Sequence, residues 1–356
     1  MQELTTPASR RASGESGGRL HETWPDIAKG IGILLVVYGH VARGIEKAGL
    51  PIDPVFFKTL DALIYAFHMP LFFFVSGYLF WGSVQARGYR AVLPGRMVLL
   101  IWLYVIWSVV HGAVEVMLGR LTNGALQWTD VFALWVPRAH FWYLYALALL
   151  VLVTSAFAWV PKRYQALALF AFAAVFFTTP GLGTGWYPLL AVGWHLIYFA
   201  AGFMLAASRV DGVRFRSHSM VLYVFWVALA IAWVSLAAPE GLPKLTAAVA
   251  GILLATVASF FLAQSSLLVS RSLAFLGSIA LPIYLAHILA GSGMRIVLHK
   301  GLGVDLVWLH LVLGLVAGVL LPWAFWIVTK RLGQGWLWSL PGRGGLTWNL
   351  VHRSKA

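Results

Sequence analysis

Ten apolar runs, separated by short polar connections, constrain this chain more than any other feature. They cover residues 27–45, 60–81, 98–118, 141–160, 166–177, 189–206, 220–237, 245–263, 273–297 and 306–328. A hydrocarbon core ~30 Å thick is crossed by about 20 apolar residues in a helix, and only the fifth run is clearly short of that. Sixty per cent of the residues are hydrophobic and 11% are charged, against about 25% charged in a soluble domain. The pattern predicts an all-α, polytopic integral membrane helical bundle of about ten transmembrane helices. Residues 1–23 are polar and lack the apolar core of a signal peptide; they are expected to form a disordered cytoplasmic tail. Residues 24–331 make the transmembrane domain, and 332–356 a cytoplasmic C-terminal tail.

The cations support that count. With the N-terminus inside, eighteen of the 26 Lys and Arg residues fall in inside segments and eight outside. This agrees with the positive-inside rule and places both termini in the cytoplasm. The net charge of +14 does not point to nucleic acid, because the basic residues lie between apolar runs. There is no cysteine, so thiol nucleophiles and cysteine metal sites are excluded. No metal site is expected, since no His-Glu-x-x-His or paired-carboxylate motif is present, and no P-loop occurs either. All connections are short. Any chemistry must therefore come from groups in or beside the bilayer, where ionisable residues are costly and usually functional.

The first run carries the most telling pair. Lys29 and His40 are eleven residues apart, which is three turns plus ~20°, so both lie on one helix face ~16 Å apart along the axis. Asp26 precedes Lys29 by three positions and can pair with it. Gly30 and Gly32 allow a close backbone approach. An anionic head at Lys29 and a reactive end near His40 fit a cytoplasmic ligand with a long arm. The alternative is an interfacial Lys snorkelling to headgroups and a neutral His bonded to a neighbouring helix. In the second run His68 is followed by Pro70, which bends a helix and frees a carbonyl. Ser76-Gly77-Tyr78 follows as a small contact surface, and Ser76 has no adjacent base in sequence. Asp61 lies on the face of His68 and can orient it, or can serve as an interfacial charge at a helix N-terminus. Glu115 is either snorkelling or facing the outer opening. His140 reads as an aromatic-belt residue, and His195 as structural.

Asp26-Ile-Ala-Lys-Gly-Ile-Gly-Ile with Gly39-His40, then Phe67-His-Met-Pro-Leu-Phe-Phe-Phe-Val-Ser-Gly-Tyr78, resembles the acyltransferase 3 family of membrane O-acyltransferases, and within it the fucose 4-O-acetylase-like branch. The family pattern is a basic residue, ten residues, then a histidine. Many members have Arg where this chain has Lys29, which keeps the charge but loses bidentate geometry. Trp142-Tyr143-Leu144 and Gly277-Ser278 with Pro282-Ile-Tyr-Leu-Ala-His287 are similar to two later family motifs.

The resemblance implies transfer of an acyl group, often acetyl from cytoplasmic acetyl-CoA, to a sugar hydroxyl of an exported, cell-surface or lipid-linked polysaccharide at the bacterial inner membrane. It implies a catalytic His40 and a donor-holding Lys29, with His287 lining the cavity, the alternative for His287 being a satisfied packing histidine. Elementary chemistry is consistent with this. Acyl transfer from a thioester needs a base, for which neutral imidazole is suited, and a donor to the developing oxyanion. Arg87, Arg90 and Arg96 can meet CoA phosphates or can serve only as topology signals. Tyr38, Ser76, Tyr78, Tyr143 and Tyr284 are the candidate oxyanion donors, and the sequence does not choose among them. His68, Trp142 and His287 are further candidates for the cavity or the acceptor. The competing reading is a transporter or glycan carrier that uses Lys29 and His40 as substrate or proton sites. Against it stands the lack of an internal repeat.

Overall fold

Every described element of regular structure is helical. The computed structural model describes residues 16–119, 126–179, 184–208 and 242–341; the run expected at 220–237 lies outside them. The helices are α1 (Ser16–Lys47), α2 (Pro54–Arg87), α3 (Tyr89–Met117), α4 (Trp128–Val131), α5 (Trp142–Ser155), α6 (Lys162–Thr178), α7 (Tyr187–Ala207), α8 (Leu242–Ala263), α9 (Leu268–Ser278), α10 (Ala280–Ile296) and α11 (Val307–Arg331). Among the described residues, seven helices are long and apolar enough to cross a membrane. The protein is thus an all-α, polytopic membrane bundle. Local chemistry sets its boundaries. Asp53 caps α2 by accepting from the Phe56 N–H at 2.6 Å, and Pro54 opens the helix, where a missing N–H costs nothing. Gly88, at φ 76°, separates α2 from α3.

α1 is the axis of the bundle. It packs against α2, α8, α9, α10 and α11, while α2 also packs against α7 and α8. Two crossings are made by reciprocal glycines. A Cβ on Gly30 would strike the Leu273 carbonyl, and one on Gly277 would strike the Asp26 backbone, so α9 runs antiparallel against α1 at backbone contact. Gly77 and Gly202 do the same between α2 and α7, against Phe199 and Phe74. Small residues permit this approach, and close packing drives helix association where lipid removes the hydrophobic incentive. The faces turned outward carry large apolar side chains, such as Val312, Val316, Leu320, Leu321 and Phe325 on α11.

The run expected as one helix at 273–297 is two. α9 ends at Ser278 and α10 begins at Ala280. The Ser278 hydroxyl bonds back to the Phe275 carbonyl, and Pro282 has no N–H to continue the ladder to residue 278. The break lets α9 lie tightly on the Asp26–Gly30 stretch while α10 brings Tyr284 and His287 to His40. Beyond α11 the chain turns back at Gly335–Leu337. There the Trp336 and Leu337 carbonyls accept from the Trp102 and Trp107 indoles at 2.8 and 2.7 Å. Trp338 donates to the Thr329 hydroxyl at 2.8 Å, so this turn fastens α11 to α3.

Candidate active site

Lys29 lies on the inner face of α1 with 7% of its surface exposed. Its Nζ is 2.7 Å from the Asp26 carboxylate, the pairing expected from their spacing. Along α1 from there, Gly32 faces Phe72, Gly39 faces Tyr65, and Arg43 meets Asp61, so α2 runs antiparallel alongside. The Ser76 hydroxyl and the Tyr143 phenol are 3.0 Å apart, and Arg96 lies near enough to Tyr143 to interact with it electrostatically. This places Arg96, Ser76 and Tyr143 together, as a ladder of polar groups drawn from α3, α2 and α5. Arg90 is exposed at the start of α3, and Arg87 at the end of α2. Tyr78 packs edge-on to Trp24, their ring centres 4.7 Å apart. Trp142 stands against His195, which stacks on Phe73 at 4.7 Å.

At the level of His40 four imidazoles converge. The His40 ring centre is 5.1 Å from His287 and 5.9 Å from His140. His140 is 5.0 Å from His287 and 5.2 Å from His111. His111, His140 and His287 are buried. They come from α1, α3, α10 and the turn Ala139–Phe141 that precedes α5. Ala139 has φ 42°, a left-handed conformation costly for a residue with a Cβ, and it aims His140 inward.

Hydrogen bonds fix two of the tautomers. His287 Nδ1 is 2.8 Å from the Tyr284 carbonyl and 3.1 Å from that of Ile283. A carbonyl only accepts, so Nδ1 carries the proton and Nε2 the lone pair. That Nε2 is buried without a partner. His111 Nε2 likewise donates to the Leu285 carbonyl at 2.9 Å. Among the described residues neither ring nitrogen of His140 has a partner, although both are buried, and a neutral imidazole has one N–H to give. Tyr284 donates to the His140 carbonyl, which uses its single phenolic hydrogen. It is therefore not an oxyanion donor in this arrangement.

Two sequence expectations change. His140 is not a belt residue but the centre of the cluster. Asp61 does not orient His68; it forms a two-pronged pair with Arg43 at 2.7 and 2.8 Å. His68 is held instead through Nδ1 to the Ile64 carbonyl at 2.8 Å, with Tyr65 edge-on at 4.5 Å. Glu115 lies 3.9 Å from Arg138. His111 was missed altogether; its only signal was an imidazole in the middle of an apolar run. Among the described residues no three His, Asp or Glu side chains form a group that could hold a metal ion.

Comparison with known proteins identifies the family. The family model described as an acyltransferase domain matches residues 22–327. Over 113 residues the chain is 30% identical to the nodulation protein NolL of Mesorhizobium japonicum, covering 30% of each chain. Over 162 residues it is 26% identical to the nodulation protein NolL of Sinorhizobium fredii, covering 44% of this chain and 42% of that one. The chain therefore spans less than half the length of these curated relatives. No solved structure matches it. A family match that takes in α1 to most of α11, and with them Lys29 and the four histidines, assigns the chain to the acyltransferase 3 family of membrane acyltransferases.

Proposed function

We propose that this acyltransferase is an O-acetyltransferase of the bacterial inner membrane, with both termini cytoplasmic. It moves acetyl from cytoplasmic acetyl-CoA to a sugar hydroxyl of an exported or cell-surface polysaccharide. The observation that supports this reading is the run of polar side chains that leads from Arg96 through the Ser76–Tyr143 pair and Tyr284 to His140 and His40. An extended donor with its phosphates near Arg90, Arg96 and Lys29 would bring its thioester to the imidazoles. The acceptor arrives from the opposite side.

In this reading His40 takes the proton from the acceptor hydroxyl as its oxygen attacks the thioester carbonyl. The C–S bond breaks, and the thiolate of CoA leaves and takes up a proton. The partnerless N–H of His140 lies beside His40 and His287 and is suited to stabilise the oxyanion. His287, with Nε2 bare and Nδ1 tethered, is the alternative base 5.1 Å from His40. Ser76 shares its hydrogen bond with Tyr143 and has no imidazole among its hydrogen-bond partners, so nothing favours it as a nucleophile.

The test is purified protein in liposomes with radiolabelled acetyl-CoA and a crude glycan extract. Label is expected in the glycan, with unlabelled free CoA released in equal amount. Glycan crossing the bilayer without acetyl transfer would establish a carrier instead.

A further inference from the structure

Among the described residues three arginines stand toward the end of the bundle remote from Lys29, and two of them are engaged. Arg43 pairs with Asp61 and lies over the Tyr65 ring, 3.1 Å from its centre. Arg138 lies beside Glu115 and donates to the Asp130 carbonyl. Arg295 differs from both. It is 8% exposed. Among the described residues no carboxylate is within ion-pair distance of it, and its Nε is buried without a hydrogen-bond partner.

Its position gives that vacancy a meaning. Gly44 is four residues beyond His40, hence on nearly the same face of α1 and ~6 Å further along. Arg295 Nε would stand 3.5 Å from a Cβ placed on Gly44, so the guanidinium lies over bare backbone next to the histidine cluster. α10 runs parallel to α1 here, with His287 against His40, Gly291 against Val41 and Arg295 against Gly44. A buried guanidinium nitrogen left without a partner is costly, and the planar fork matches a carboxylate or phosphate with two parallel hydrogen bonds.

We infer that Arg295 is a binding site for an anionic group on the acceptor, about one helical turn from the reacting hydroxyl. The group is an oxyanion, supplied either by the carboxylate of an acidic sugar or by the phosphate of a glycosyl phosphate. This rests on the acyl-transfer reading for its place in the reaction, but not for the binding itself.

The experiment measures thermal protection of the purified full-length protein, without acetyl-CoA, by methyl glucuronide, glucose 1-phosphate and methyl glucoside. The wild type is expected to bind one or both anionic sugars at least tenfold more tightly than the neutral one. Preference for the glucuronide identifies a carboxylate, and preference for the phosphate a glycosyl phosphate. Arg295→Gln should lose the preference and Arg295→Lys should keep part of it. Equal protection by all three sugars, or a preference that survives in Arg295→Gln, overturns the inference. If Arg295→Gln does not fold, the wild-type comparison and the Lys variant decide. Labelled acetyl transfer is run in parallel. Charge-selective binding without transfer sinks the acyl-transfer reading alone, and transfer without charge-selective binding sinks this inference alone.

Discussion

At the Lys29 end of α1 the charge is paired, with the Trp24 indole the orphan nearby; at the His40 end, beside the Arg43–Asp61 pair, several polar groups are left open. Lys29 has Asp26, and Ser76 has Tyr143. Around them, α9 and α7 are pressed onto α1 and α2 through glycines. At the other end, His140 has two partnerless nitrogens, His287 has one, and Arg295 has a bare Nε. Buried polar groups left without partners are destabilising. A fold that keeps several of them toward one end keeps donors and acceptors that the chain itself does not use.

The largest expected effect is at the open end. His40→Ala should lower transfer by ~10²–10⁴, the range of a positioned general base, with membrane expression and acetyl-CoA affinity near normal. Because the neutral ring is the form that accepts a proton, the wild-type rate should fall as pH falls. Single-turnover transfer to the native glycan, followed against pH, is the measurement. If His40→Ala keeps most of its rate and His287→Ala does not, the base is His287. His140→Ala should cost about 10²–10³ in turnover, the scale of one oxyanion-hole donor. Its acetyl-CoA binding should be unchanged. A rise in KM at constant turnover would instead make His140 a binding residue.

At the paired end smaller effects are expected, and they fall on binding. Lys29→Ala should weaken acetyl-CoA by about 1.5–3 kcal/mol, the size of a hydrogen bond to a charged group, while Lys29→Arg retains much of the affinity. Asp26→Asn removes the carboxylate that competes with the donor phosphates for Lys29, so affinity should hold or rise. Equilibrium binding of labelled acetyl-CoA reads both. Unchanged affinity in Lys29→Ala would leave the cation no role beyond its pair with Asp26.

The two ends were also unequally legible in the sequence. Spacing along one helix suffices to put Lys29 under Asp26 and eleven residues from His40. It says nothing of His111 and His140, which reach His40 from other elements. His140 follows Arg138 by two residues and resembles an interfacial residue until the turn at Ala139 sends it inward. Asp61 was placed correctly on the face of His68, but Arg43 on the neighbouring helix outcompetes an imidazole for it. The break between α9 and α10 was written in Gly277-Ser278 and Pro282, yet hydropathy runs through it without a dip. Periodicity finds partners within an element, whereas convergence across elements depends on packing that no single segment encodes.

The glycine crossings offer the smallest effect and a way to separate scaffold from site. Gly277→Ala and Gly202→Ala each drive a Cβ into a backbone, that of Asp26 in one case and Phe74 in the other. Backbone cannot rotate aside as a side chain can, so each should cost about 1–3 kcal/mol of stability, as overpacking does elsewhere. Both should lower the thermal midpoint in detergent by similar amounts. Only Gly277→Ala pushes α9 away from the stretch of α1 that carries Asp26 and Lys29, so only it should also raise the Kd for acetyl-CoA. Neither touches the histidines, so both variants should keep the wild-type dependence of turnover on pH. If Gly202→Ala weakened the donor as much as Gly277→Ala, the Lys29 end would not be a local binding element. The donor would then depend on the packing of the whole bundle.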